Sequence, residues 1–186
     1  MASLTTKAFD LADKYSILTM ILADGTMGQM MEPVELETAE PVKYEKPWAT
    51  TGTKMQRKHN IVNSLYLKPE ELEKKNFERF AKYKTIEENE VMYEEYLMDD
   101  AEICICAFGI TARIAKNAIA LARAQGIKAG LIRPITLWPF PKDVLNAAAD
   151  KVKAFISVEL SMGQMIEDIE LATRCKKPVL LCNRVG

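Results

Sequence analysis

From residue 101 onward, short apolar runs alternate with segments of helical spacing, and this alternation constrains the fold more tightly than any other feature of the chain. Glu102-Ile103-Cys104-Ile105-Cys106-Ala107-Phe108 is a nearly continuous apolar run closed by Gly109, the pattern of a strand buried in a parallel sheet. Residues 111–125 show helical spacing. Ile114, Ala118, Leu121 and Ala122 form the predicted buried face, and Gly126 stands where a C-cap glycine belongs. A strand at 128–132 follows, then a loop rich in proline, a helix at 142–149, a strand at 154–158, a helix at 165–175 and a strand at 178–182. Right-handed crossovers between parallel strands make this an open, doubly wound, mostly parallel α/β sheet with helices on both faces.

The first hundred residues are less regular. A helix at 6–15 and a strand at 17–23 amount to one α-β unit, which cannot bury a core alone. Residues 37–60 carry prolines, glutamates and threonines without apolar periodicity and read as an extended arm. From 69 to 100 the chain is rich in charge, with Leu72, Phe80, Tyr83, Ile86, Tyr93 and Leu97 near helical spacing, so one long helix with a narrow apolar stripe is predicted. Such a helix acts as a packing strut against a neighbouring domain or subunit.

The chain has 186 residues, 48% of them apolar, which is enough for a sizeable core. Its apolar runs stop well short of the roughly 20 residues that a membrane-spanning helix needs, so no membrane association is expected. The N-terminus lacks the pattern of a signal peptide and the four cysteines lack framework spacing, which points to a reducing, cytoplasmic setting. Net charge is -1, but residues 1–100 hold 13 Lys and Arg against 19 Asp and Glu, whereas residues 101–186 hold 12 against 7. The basic residues are scattered rather than striped among aromatics, so nucleic-acid binding is not expected.

Two turns share almost the same words: Asp24-Gly25-Thr26-Met27-Gly28-Gln29-Met30 and Glu159-Leu160-Ser161-Met162-Gly163-Gln164-Met165. An acid, a hydroxyl two positions on and a glycine two further suit a tight turn whose amides face a ligand or partner, or a turn that glycine merely permits. Gly109 and Thr111, the latter placed to cap the helix after it, mark a second position where sheet-edge amides could face an anion. The dinucleotide fingerprint is incomplete there: its three glycines are missing, and the next strand ends in Arg133 rather than an acid. Arg133 could bind phosphate or carboxylate, or pair with an acid of another subunit. Pro134, Pro139 and Pro141 stiffen the following loop, which offers Trp138 and Phe140 as aromatic anchors for a partner, with a core position for Trp138 as the alternative. Cys104 and Cys106 fall on one face of a strand and read as buried free thiols. His59 has no nearby nucleophile or metal-ligand pattern and reads as a surface residue.

The run Gly130-Leu131-Ile132-Arg133-Pro134-Ile135-Thr136-Leu137-Trp138-Pro139-Phe140-Pro141, together with Val158-Glu159-Leu160-Ser161-Met162-Gly163-Gln164-Met165, resembles the transketolase C-terminal-like domain of 2-oxoacid:ferredoxin oxidoreductases. Trp48-Ala49-Thr50-Thr51-Gly52-Thr53 and His59-Asn60-Ile61-Val62-Asn63-Ser64-Leu65-Tyr66-Leu67 are similar to the alpha subunits that act on 2-oxoisovalerate (3-methyl-2-oxobutanoate).

The resemblance implies oxidative decarboxylation of a 2-oxoacid to an acyl-coenzyme A, with thiamin diphosphate, magnesium and iron–sulfur clusters in the complete enzyme and ferredoxin as electron acceptor. It implies residues 1–36 as the end of a pyrimidine-binding domain, 37–100 as arm and linker helix, and 101–186 as the transketolase C-terminal-like domain. The chain then reads as a C-terminal piece serving structure and assembly, inactive alone, with no catalytic, metal or cofactor-binding residues of its own. Its expected partners are the other subunits, with a homodimer also open. Gly109, Thr111, Arg133, Trp138, Gly163 and Gln164 are the candidate anion or subunit contacts. A stand-alone anion- or nucleotide-binding α/β module is the alternative function. A complete small dehydrogenase is disfavoured by the missing fingerprint.

Overall fold

A computed structural model describes residues 1–35 and 42–185, so part of the predicted arm lies outside the described residues. The chain divides into two compact units, one of Met1–Leu22 with Met31–Lys84 and one of Ala23–Met30 with Thr85–Gly186.

In the first unit, α1 (Ala2–Tyr15) ends at Ser16 in the left-handed conformation, φ 46°. Lys82 donates to the carbonyls of Tyr15 and Ser16 at 3.1 and 3.3 Å, which places a cation at the negative end of that helix. Residues 17–23 are not a strand: they pair with nothing among the described residues, and Leu18, Met20 and Leu22 are exposed. The pattern is strand-like, but a strand needs a neighbour for its amides and carbonyls. The long helix is also shorter than its spacing suggests. Helix α3 (Pro69–Asn89) stops before Tyr93 and Leu97, so the proposed stripe is not one face of one helix. Of the stripe residues within α3, Ile86 is buried and Phe80 is exposed.

The second unit holds the short α2 (Gly25–Gln29) and a five-stranded sheet in the order β1-β3-β2-β4-β5. Strand β1 (Tyr93–Tyr96), hidden in what reads as helix, runs antiparallel to β3 (Ala129–Pro134). The other pairs, formed by β2 (Ile103–Cys106), β3, β4 (Ala154–Glu159) and β5 (Val179–Asn183), are parallel. Helix α4 (Gly109–Ala124) covers one face; α5 (Lys142–Ala149) and α6 (Met165–Thr173) cover the other.

Strand pleating sends Cys104, Cys106, Ile132 and Phe155 toward α5 and α6, where Leu145, Val152 and Ile169 complete a core. Burying Phe155 alone contributes about 1.5–3 kcal/mol. On the other side Leu131 and Ala129 meet Ala112, Ala115 and Ile119 of α4. The inner face of α4 is therefore not the one its larger apolar residues mark. Ile114 and Leu121 are exposed, because small alanines let α4 lie close on the sheet while the larger side chains point away.

The turn between β1 and β2 is held by Arg123, which donates to the carbonyls of Leu97 and Ala129 and to the Asp100 carboxylate, each at 2.7 Å. Leu97 has φ 53°, a conformation a leucine adopts only when its surroundings enforce it. Its carbonyl then presses on β3 at Gly130, where a Cβ would lie 2.6 Å from the Leu97 oxygen and 2.6 Å from the Met98 sulfur. Gly130→Ala is expected to destabilise the second unit by about 1–3 kcal/mol, the usual cost of overpacking. Thermal unfolding checks this, and an unchanged Tm would show that the turn yields freely.

Candidate functional site

In an open α/β sheet, ligands enter at the carboxyl ends of neighbouring strands whose connections leave in opposite directions. Here those strands are β2, which leads to β3 through α4, and β4, which leads to β5 through α6 on the opposite face. The two repeated turns, Gly109, Thr111, Gly163 and Gln164 all belong to this edge, and each helix that begins there leaves amides to be satisfied.

At α6 a single carboxylate does this. Glu159 ends β4 and is only 5% exposed, and no cation among the described residues is bonded to it. One oxygen accepts from Ser157 Oγ at 2.7 Å and Ile166 N at 3.0 Å. The other accepts from Ser161 Oγ at 2.8 Å, Gln164 N at 2.8 Å and Met165 N at 3.1 Å. Five donors fill the acceptor capacity of a carboxylate, and the positive end of α6 compensates its charge. Burial pushes the Glu159 carboxyl up, but the Gln164 amide, the two hydroxyls and the Met165 amide together hold it below its ordinary 4.5.

Gly163, at φ 105°, closes the turn in a conformation suited to glycine, and a Cβ there would come within 3.1 Å of Leu181 and 3.2 Å of Ile166. Gln164 contributes its backbone amide to the network and its side chain does not cap the helix. Asn183 Nδ2 donates to the Ser161 carbonyl at 2.8 Å, which ties the turn to β5.

At α4 the pattern repeats with the other acid. Asp24 is the N-cap of α2: one oxygen accepts from Met27 N at 2.8 Å and the other from Ile110 N, in the first turn of α4, at 3.3 Å. Thr111 is not the cap. It lies inside the helix, is buried, and donates its hydroxyl to the Phe108 carbonyl at 2.6 Å. Gly109, at φ 60°, leaves room for Asp24, since a Cβ would meet its carboxylate at 3.2 Å. The helix starts proposed to face an external anion therefore face the chain's own carboxylates.

Arg133 is likewise accounted for within the chain. It donates to Glu94 Oε2 at 2.9 Å, directly across the β1–β3 ladder, and Lys116 from α4 holds the other oxygen of Glu94. The Lys116 hydrogen bond first, and Arg133 with it, keep the Glu94 carboxyl below its usual value against a smaller opposing effect of burial. Glu94 is hidden from a sequence reading because the spacing over 69–100 predicts helix where β1 lies. Ser157 was missed too, although a hydroxyl two residues before a strand-end acid on the same pleat was the available signal.

The loop after β3 separates its two aromatics. Phe140 is a core residue rather than an anchor, packed with Leu145 and Phe155, whereas Trp138 is 50% exposed. Pro134, Pro139 and Pro141 are buried, and the Trp138–Pro139 bond is cis. Cys104 and Cys106 are fully buried with sulfurs 3.9 Å apart; the Cys104 contact and then burial push the Cys106 thiol well above its usual range, so it stays protonated. His59 is exposed. Among the described residues no group of three or more His, Cys, Asp or Glu could hold a metal, and no helix is long and apolar enough to cross a membrane.

Since Glu159 is held below its unfolded value, its stabilisation is complete above about pH 4.5 and is lost as the pH falls through the folded value. Glu159→Gln keeps the shape but turns an amide NH2 toward donors. It is expected to cost about 2 kcal/mol or more at pH 7 and to flatten the loss of stability below pH 4.5, as read by urea unfolding at both pH values. Equal stability of variant and parent at pH 7 would remove the carboxylate as the anchor of this turn.

Comparison with known proteins gives the edge its context. Residues 101–186 match the family model of pyruvate:ferredoxin oxidoreductase core domain II. Over its whole length the chain is 50% identical to ketoisovalerate oxidoreductase subunit VorB of Methanothermobacter thermautotrophicus, covering 53% of that subunit. It is 24% identical, over 98% of its length, to 2-oxoglutarate synthase subunit KorA of Methanothermobacter marburgensis, covering 56% of that protein. The chain thus spans about half the length of the curated relatives it matches. A solved structure of 2-oxoglutarate:ferredoxin oxidoreductase from Magnetococcus marinus, with 2-oxoglutarate, coenzyme A and succinyl-CoA bound, superposes with TM-score 0.53 at 20% identity. That match takes in 65% of this chain and 21% of the other, and is a likeness of fold. Residues 101–186 thus match core domain II of pyruvate:ferredoxin oxidoreductase, and the whole chain is similar along its length to subunits of 2-oxoacid oxidoreductases.

Proposed function

We propose that the chain is part of the subunit of a 2-oxoacid:ferredoxin oxidoreductase that converts 3-methyl-2-oxobutanoate to its acyl-coenzyme A, and that this part serves assembly. The observation that carries the substrate is the 50% identity to the ketoisovalerate subunit across the whole chain, against 24% to a 2-oxoglutarate subunit. An assembly role is supported by the sheet edge itself. Both helix starts that could receive a phosphate or carboxylate are taken by Glu159 and Asp24, and Arg133 is paired with Glu94. The same occupancy speaks against a stand-alone anion- or nucleotide-binding module.

Thiamin diphosphate, magnesium and iron–sulfur clusters belong, in this reading, to the remainder of the complete enzyme. The donor sets here do not fit them: the buried thiols face each other in the core and the helix starts are closed by carboxylates. Residues 1–36 are read as the end of a pyrimidine-binding domain, supported by the exposed, strand-patterned run with Leu18, Met20 and Leu22, which further strands would cover. The other subunits and ferredoxin are the partners that follow from this reading.

The test is reconstitution of the complete complex containing this sequence, followed by ferredoxin reduction with coenzyme A and each of 3-methyl-2-oxobutanoate, 2-oxoglutarate and pyruvate. The branched-chain acid is expected to give the highest kcat/KM; preference for either other acid would overturn the substrate assignment. Trp138 provides the test of assembly. Half exposed on a loop of buried prolines, it has the surface of a preformed contact. Trp138→Ala is expected to leave thermal unfolding of the chain within a few degrees of the parent, yet to weaken association with the partner subunits by about 2 kcal/mol or more. Unchanged association would dismiss Trp138 as a contact.

A further inference from the structure

The segment 23–30 belongs to the same compact unit as the sheet, although residues 31–84 of the other unit stand between them in sequence. Its α2 has no buried residue, and the residues on either side, 17–24 and 30–35, have no regular structure. What holds it to the sheet edge is specific and small. Asp24 reaches the first turn of α4, Met27 lies beside Gly109, and Arg113 approaches the Met30 sulfur at 4.0 Å.

The two bonds of Asp24 are unequal. The bond to Met27 within the segment is 2.8 Å, and the bond to Ile110 is 3.3 Å, long for a hydrogen bond to a carboxylate. The carboxylate thus belongs first to α2 and second to α4. Gly109 permits the approach, because any Cβ there would crowd the Asp24 oxygen. Glu159, by contrast, is built into the strand it caps and cannot leave its helix without unfolding the edge.

We propose that residues 23–30 form a releasable strap across the carboxyl edge beside β2, fastened by the Asp24 carboxylate to the first turn of α4. The strap rests on the geometry of this unit and does not depend on the oxoacid assignment. Few buried apolar contacts and one long hydrogen bond give it low local stability, so it opens without the sheet unfolding. When fastened, it holds the amide of Ile110; when released, it bares that amide.

Amide hydrogen exchange on the full chain tests this, comparing the parent with Asp24→Asn and Asp24→Ala. Asparagine can still cap α2 but lacks the second carboxylate oxygen. Asp24→Asn is expected to speed exchange of Ile110 by about tenfold while Met27 stays protected, and Asp24→Ala to speed both, with β2 and β4 unchanged in each case. Unchanged exchange at Ile110 in both variants would overturn the proposal. So would loss of protection throughout the sheet, which would make Asp24 part of the core rather than a detachable fastening.

Discussion

A helix that begins at the edge of a parallel sheet brings unsatisfied amides and a partial positive charge to the place where ligands usually enter. In this protein the chain meets that requirement with its own acids, and the rest of the edge follows from it. Glu159 is held in a buried position because five donors and the start of α6 surround it. Its fixed position sets the 160–164 turn, and the turn in turn requires a glycine at 163 and the tie from Asn183.

The second charged feature lies on the outer side of β3. Glu94 is shared by Arg133 and Lys116, so an edge strand, an inner strand and a helix meet at one carboxylate. This pairing blunts the arginine as a ligand for outside anions and fixes the antiparallel register of β1. In the β3–α5 loop Trp138 stays half exposed, whereas its neighbour Phe140 and the prolines are committed to the core.

The departures from the sequence reading share a cause. The spacing of Ile114, Ala118, Leu121 and Ala122 marks a face of α4 that differs from the buried one. Close helix–sheet packing instead selected the alanines, with Ile119, for the interior. The helical spacing that runs through Tyr93 and Leu97 does not separate helix from strand at residues 93–96, and only the free edge of β3 decides for a strand. The strand expected at 17–23 has the right composition and no strand beside it among the described residues.

What the sequence determined by itself is the second half: runs of apolar residues, glycine stops and prolines fix the parallel strands and their helices, because local periodicity and handed crossovers leave few alternatives. Of the two acid-and-glycine motifs, the second forms the expected turn after a strand, whereas the first forms α2 with no strand before it. The tertiary structure alone decided what those acids do. Asp24 meets Ile110 across 86 positions and Arg133 meets Glu94 across 39, and such encounters depend on which strands become neighbours rather than on any local pattern. Burial then made the difference physical, since a carboxylate taken out of water must find its donors within the fold.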